Sequence, residues 1–146
     1  MIPIVHFQTH FPLIVITALS HMPRGLLTII MLICSNVFMT FAWYGNLKLQ
    51  EMKLINDWPL IAVILLSWGM ALFEYIFMIP ANRIGSQIMG GPFSLMQLKV
   101  IQEAVSLIVF TVIVKLVFKS EPFHWNHAVA FGLIILAVFF AFMKTE

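Results

Sequence analysis

Hydrophobic residues in this chain gather in long, almost unbroken runs, and polar residues are confined to the short gaps between them. A membrane-spanning helix needs about twenty consecutive apolar residues, and four runs reach that length. The first, GLLTIIMLICSNVFMTFAWYG, covers 25–45 and carries no charge. The second covers 59–79, with Pro59 at a tolerated first-turn position and Pro80 expected to close it. The third covers 94–118 and the fourth 126–143. A β-barrel would need short segments of strict polar/apolar alternation. None of these runs alternates, so helices are the predicted way to satisfy the backbone in lipid.

The gaps set the topology. NLKLQEMKLINDW joins the first two runs, ANRIGSQIMGG the second and third, and KSEPFHWNH the last two. Connections this short make consecutive helices antiparallel neighbours, and an even number of spans puts both termini on one side. Trp43, Tyr44, Trp58 and Trp125 fall at run ends, where an interfacial aromatic belt would place them. Asn82 and Arg83, just past Pro80, read as a helix cap and an interface anchor.

Residues 1–24 differ in character. Pro3, Pro12 and Pro23 interrupt them, and the apolar stretch from Phe11 to Leu19 is too short to span. A signal peptide with Ala18 and Ser20 at its cleavage site would fit in outline, but no Lys or Arg precedes its apolar core. Met22 is a plausible alternative start. The segment reads as an interfacial or disordered extension, with His6 and His10 solvated.

Composition agrees with the pattern. Hydrophobic residues make up 62% and charged residues 10%, where a soluble domain has about half and about a quarter. Mean hydropathy is +1.02. The fold class is therefore an all-α membrane protein, with 25–146 forming one four-helix transmembrane domain and no room for an appended soluble one. A net charge of +2 without clustering gives no sign of a nucleic-acid partner. Cys34 is the sole cysteine, which excludes an internal disulfide; within an apolar run it reads as an inert thiol.

Lys and Arg bias sets membrane orientation. Arg24, Arg83, Lys99 and Lys144 lie on the side of the termini, against Lys48, Lys53, Lys115 and Lys119 on the other. Four against four predicts no preference. Either other determinants decide, or the chain inserts both ways and pairs as an antiparallel dimer.

Ionisable groups inside a membrane cost a few kcal/mol to insert and are functional candidates by default. Glu74 stands out, on a helical stripe with Ser67, Ala71 and Met78 and beside Tyr75. A small, polar stripe faces protein or a cavity rather than lipid, and a carboxyl there can exchange a proton for a cationic substrate. The bland alternative is a static pair with Arg83. In the third run Lys99 and Glu103, four apart, can pair on one face, with Gln102 and Ser106 on the same side. They form either a polar wall facing Glu74 or a neutral pair that eases insertion. Asn36 and Thr40 of the first run, with Thr28 before them, offer further hydrogen-bonding groups. In the fourth run Ala128 and Gly132 form a small-xxx-small pair suited to packing or to a dimer seam. No phosphate loop, Cys/His metal set or nucleophile–base arrangement is present, and the ten methionines are scattered apolar filler. No enzyme activity, cofactor or metal is expected.

The blocks SNVFMTFAWYGNLK, EYIFMIPANRIG, QLKVIQEAVSLIVF and EPFHWNHAVAFGLI together resemble the small four-helix proteins of the drug/metabolite transporter superfamily. More closely, they resemble its bacterial branch known only as DMT family proteins of unknown function, over residues 25–143. In plan the chain is also similar to the small multidrug resistance proteins. Those work as antiparallel dimers and exchange protons for cationic drugs at a glutamate on their first helix. The matching position here is Asn36, which cannot titrate. The resemblance thus implies a small-multidrug-resistance-like bundle and leaves any acidic coupling to Glu74 or Glu103.

The expected function is a secondary transporter of an unknown small molecule, proton-coupled, working as a homodimer in the inner or plasma membrane. Glu74, Glu103, Lys99, Gln102, Asn36 and Tyr75 are its candidate site residues. Two alternatives stay open. A non-transporting scaffold or accessory subunit would have its polar groups paired within one chain. A lipid-carrier translocase would need a lateral groove toward lipid.

Overall fold

The structure, a computed structural model, describes residues 22–118, 122 and 124–143. The N-terminal extension with His6 and His10 lies outside the described residues, as do Lys119, Glu121 and Lys144. Four helices follow in order: α1 (Arg24–Glu51), α2 (Leu60–Gly85), α3 (Leu95–Val117) and α4 (Trp125–Phe142). All four are long and apolar enough to cross a membrane. A single 3-10 turn, Gln87–Met89, lies between α2 and α3.

Two boundaries differ from the sequence expectation. α1 continues beyond Gly45 to Glu51, because Asn46–Glu51 are compatible with helix and Lys48 pairs with Glu51 at 2.8 Å one turn on. Hydropathy reports where the apolar run stops, not where the helix does. At 28 residues the rod is about 42 Å long, so its last turns reach past a hydrocarbon core of about 30 Å.

The second difference is larger. α2 does not close at Pro80; it runs through it to Gly85. Asn82 and Arg83 are therefore helical residues and not a cap beyond the helix. Proline lacks one N–H and so removes one ladder bond. Stopping the helix at residue 79 would instead strand the last four carbonyls in an apolar phase. The lesser loss wins.

α2 ends where replacement partners exist. Ser86 turns to an extended conformation and its N–H donates to Asn82 O at 3.0 Å, while Phe93 N donates to Gly85 O at 2.9 Å. Gln87 N in turn donates to Phe93 O at 2.8 Å, folding residues 86–93 into a closed loop. Gly90 takes a left-handed φ of +77°, a conformation that glycine adopts without steric cost. The Arg24 guanidinium, at the start of α1, donates to Gly90 O at 2.8 Å. Ser94 then starts α3 with a capping box, its hydroxyl accepting from Gln97 N and its own N–H donating to Gln97 Oε1.

α1 is the central helix. It packs along α2 and α3, whereas α4 packs along α3. The contacts give the directions. Thr28 meets Gly85 and Phe38 meets Phe73 and Phe77, so α1 and α2 are antiparallel. Tyr44 meets Phe110 and Lys48 meets Phe118, so α1 and α3 are parallel. Phe142 packs edge-on to Phe93, which returns α4 to the end of the bundle where α1 begins.

The core lies among α1, α2 and α3, built on Leu32, Ala81, Ile101, Val105 and Val109. α1 buries Thr28, Ser35, Asn36 and Thr40 as well as Leu27, Leu32 and Ala42. Its outward positions are Leu26, Ile30, Ile33 and Phe41. This inverts the soluble pattern, as packing between membrane helices requires: small and polar groups bring backbones together, and large apolar groups meet lipid. No residue of α4 is buried.

Candidate functional site

Glu74 is 2% exposed, so it sits inside the protein rather than against lipid. It lies midway along α2 on the face turned to α1, and the α1 residue it meets is Ser35. The Ser35 hydroxyl donates to Glu74 Oε1 at 3.1 Å. Glu74 Oε2 is fully buried and has no hydrogen-bond partner among the described residues. Phe38, one turn beyond Ser35, stacks on Phe73 and Phe77 with ring centroids 5.7 Å apart in each pair. The carboxyl is thus flanked by aromatic packing and held by one hydroxyl.

The other polar groups of α1 are turned back on their own helix. Thr28 donates to Arg24 O, Asn36 to Leu32 O and Thr40 to Asn36 O, each at 2.8 Å. Such bonds from residue i to carbonyl i−4 let a polar side chain sit in an apolar interface without a partner across it. Asn36 is buried close to Ser35 on α1, yet its amide serves α1. From α3, Gln102 Nε2 donates to Met78 Sδ at 3.5 Å, one turn beyond Glu74 on the same stripe.

The remaining candidates stand apart. Lys99 and Glu103 form the ion pair their spacing suggests, with side chains 67% and 62% exposed. They do not line the Ser35–Glu74 contact. Tyr75 is half-exposed, about 100° round α2 from the carboxyl. Arg83 is exposed and forms no ion pair with Glu74 among the described residues. The structure therefore sets Glu74 in the α1–α2 interface against Ser35, buries Asn36 on α1 and brings Gln102 to Met78 beside that interface. It leaves Lys99, Glu103 and Tyr75 outside.

Ser35 is the residue that sequence reasoning missed. It lies seven positions after Thr28, two helical turns along the same face, so the stripe containing Thr28 already pointed to it. Asn36 drew attention as the more polar neighbour.

Two cavities lie toward the other end of the bundle. A smaller one of about 230 Å³ sits among α1, α2 and α3, with Thr40, Tyr44, Ser67, Met70 and Ile113 in its wall. Ser67 and Met70 are on the Glu74 side of α2, and Ser67 is about 10 Å from Glu74 along the helix axis. A larger one of about 370 Å³ lies among α1, α3 and α4. Tyr44 and Phe118 belong to both walls. Glu74 lines neither cavity.

Chemically, the arrangement is a buried carboxyl with one oxygen hydrogen-bonded and the other without a partner among the described residues. Its Oε1 is occupied as an acceptor, and its Oε2 is available to a proton or to a cation. A buried oxygen left without a partner costs about 1–3 kcal/mol, and native proteins leave few such atoms.

Comparison with known families gives the same answer as the architecture. A family model, DMT_6, described as "Putative member of DMT superfamily (DUF486)", matches residues 28–142. The chain belongs to that family. No curated protein matches it, and no solved structure does.

Proposed function

We propose that this DMT-superfamily chain is a secondary transporter of small molecules whose coupling proton is carried by Glu74. The reading rests chiefly on one observation: a carboxyl buried to 2% exposure whose Oε2 has no partner among the described residues. Most buried carboxyl oxygens in native proteins are satisfied, so an unpartnered Oε2 calls for a role beyond fastening two helices. Ser35 holds Oε1, so proton uptake and release fall to Oε2. Family membership supports transport in general; substrate, coupling ion and stoichiometry are part of the proposal.

The working unit is a homodimer in the inner or plasma membrane. Three packed helices with a fourth at the side scarcely enclose a path gated at both ends. Larger transporters meet that need with repeats related by symmetry, and a second copy would serve here. The equal division of Lys and Arg favours an antiparallel pair. Reporter fusions at the C-terminus should then score on both sides of the membrane; a signal on one side alone removes the antiparallel form.

The coupling role is tested in two steps. Thermal stabilisation of the purified protein across a panel of metabolites and drugs identifies a ligand, which is then used for uptake into vesicles under a pH gradient. Glu74→Gln is expected to abolish gradient-driven uptake while the protein unfolds at an unchanged detergent concentration. Gradient-driven uptake by the variant at the wild-type rate would remove Glu74 from the mechanism.

One observation favours a second reading. Since Glu74 lines neither cavity, the chain also fits a non-transporting accessory subunit whose carboxyl only fastens α1 to α2. In that case Glu74→Gln and Ser35→Ala both destabilise the bundle, and no ligand in the panel stabilises it.

A further inference from the structure

The smaller cavity has a chemistry that neither reading uses. Its walls come from three helices: Phe41 and Tyr44 of α1, Ser67 and Met70 of α2, and Ile113 late in α3 with Phe118 just beyond it. α2 and α3 both pack on α1 rather than along each other, and the closed loop at 86–93 ties them at the opposite end. The gap between them therefore opens sideways at the cavity, toward lipid, where apolar molecules concentrate.

Size and lining limit what fits. An engineered cavity of about 150 Å³ walled by Leu, Ile and Phe stays dry and takes benzene. At about 230 Å³ this one is about half as large again, the difference between one aromatic ring and two fused rings. The rings of Phe41, Tyr44 and Phe118 and the Met70 thioether suit an aromatic guest, because ring edges, ring faces and sulfur attract one another.

Most polar groups of the wall are already committed. Thr40 donates to Asn36 O, Asn46 donates to Trp43 O, and Lys48 is paired with Glu51. Ser67 and Tyr44 make no hydrogen bond among the described residues. The described wall can thus give a guest a neutral hydrogen bond but no uncommitted counter-charge. A charge taken into such a wall without a partner is costly.

From these walls we infer that the α1–α2–α3 cavity binds an uncharged molecule of two fused aromatic rings and one hydroxyl, which enters from the bilayer and hydrogen-bonds to Ser67. As cargo this molecule rests on the transport reading above; as a ligand it rests on the cavity alone. A cation would gain nothing here from Glu74, which lies outside the wall. An acyl chain would leave both hydroxyls unused.

The test uses the full chain in phosphatidylcholine nanodiscs and radiolabelled 2-naphthol, with excess unlabelled compound separating saturable binding from partition into lipid. Wild type should bind saturably. Naphthalene should compete about fivefold less well, the worth of one neutral hydrogen bond, and Ser67→Ala should erase that difference. A difference that survives Ser67→Ala would remove Ser67 from the site. Met70→Trp, which fills the cavity, should abolish saturable binding, whereas Ile64→Trp, at an exposed position of the same helix, should not. If Met70→Trp fails to fold, the contrast between naphthol and naphthalene in wild type and Ser67→Ala decides alone. Absence of saturable binding would overturn the site. Competition by 2-naphthyltrimethylammonium on a par with 2-naphthol would overturn the preference for uncharged guests. Uptake into vesicles under a pH gradient separates this site from the transport reading. Saturable binding without uptake keeps the site and removes the cargo role; uptake of another ligand by a chain that does not bind naphthol keeps transport and removes the site.

Discussion

The two ends of the bundle are built on opposite rules. Where α1 begins and α2 ends, backbones meet almost without side chains between them. A Cβ added at Gly91 would lie 2.4 Å from the backbone of Gly85, and one at Gly85 would lie 2.7 Å from Thr28 Cγ2. At the other end large aromatic side chains, Tyr44, Phe110 and Phe118, hold the helices apart and leave the two cavities. Gly69 in α2 and Gly132 in α4 have nothing within 4 Å of an added Cβ. One end is fastened by contact and the other is propped open.

The strongest way to break this contrast is at Gly91. The atoms its Cβ would strike are backbone and cannot rotate away, so Gly91→Ala should cost about 3 kcal/mol or more, read as a lower SDS concentration for unfolding in mixed micelles. Gly85→Ala should cost less, about 1–3 kcal/mol, since its neighbours are the side chains of Thr28 and Leu98. Combining it with Thr28→Ala should recover part of that loss, because residues in contact do not add independently. Full additivity in that double variant would show that the fit at Gly85 is not set by Thr28. Gly69→Ala and Gly132→Ala form the opposite limit. Each should be neutral or stabilising by up to about 1 kcal/mol from helix propensity alone. A loss at Gly132 would reveal that α4 is packed against something at that face.

The fold was legible in the sequence because its cause is simple. Four apolar runs of spanning length leave helices as the solution; the short gaps fix the alternation of direction, but α2 and α3 pack against α1 rather than along each other. What escaped was decided by partners that hydropathy does not record. Pro80 looks like a terminator until the loop carbonyls and amides of residues 86–93 are seen to finish the helix five residues later. Lys99 and Glu103 announce their pairing through a four-residue spacing, yet that spacing is silent on which face of α3 carries them. Glu74 was conspicuous as a carboxylate in an apolar run. Its partner Ser35 was not, since serine is small, uncharged and next to the more polar Asn36. The direction of each hydroxyl, back to its own helix at Thr28 and Thr40 or across to α2 at Ser35, is a matter of rotamer and helix phase.

Pro80 has a mechanical consequence. Without an N–H at residue 80, the Ile76 carbonyl has no ladder donor at its usual position, and a helix short of a rung bends there more easily than elsewhere. The short segment from Ala81 to Gly85 is clamped to α1 and α3, so it acts as the fixed mount of a lever. The long arm, from Ile79 back to Leu60, carries Glu74 and Ser67 and ends at the propped-open side of the bundle. By lever geometry alone, a rotation at that joint would displace Leu60 further than Glu74 while the mount stays still.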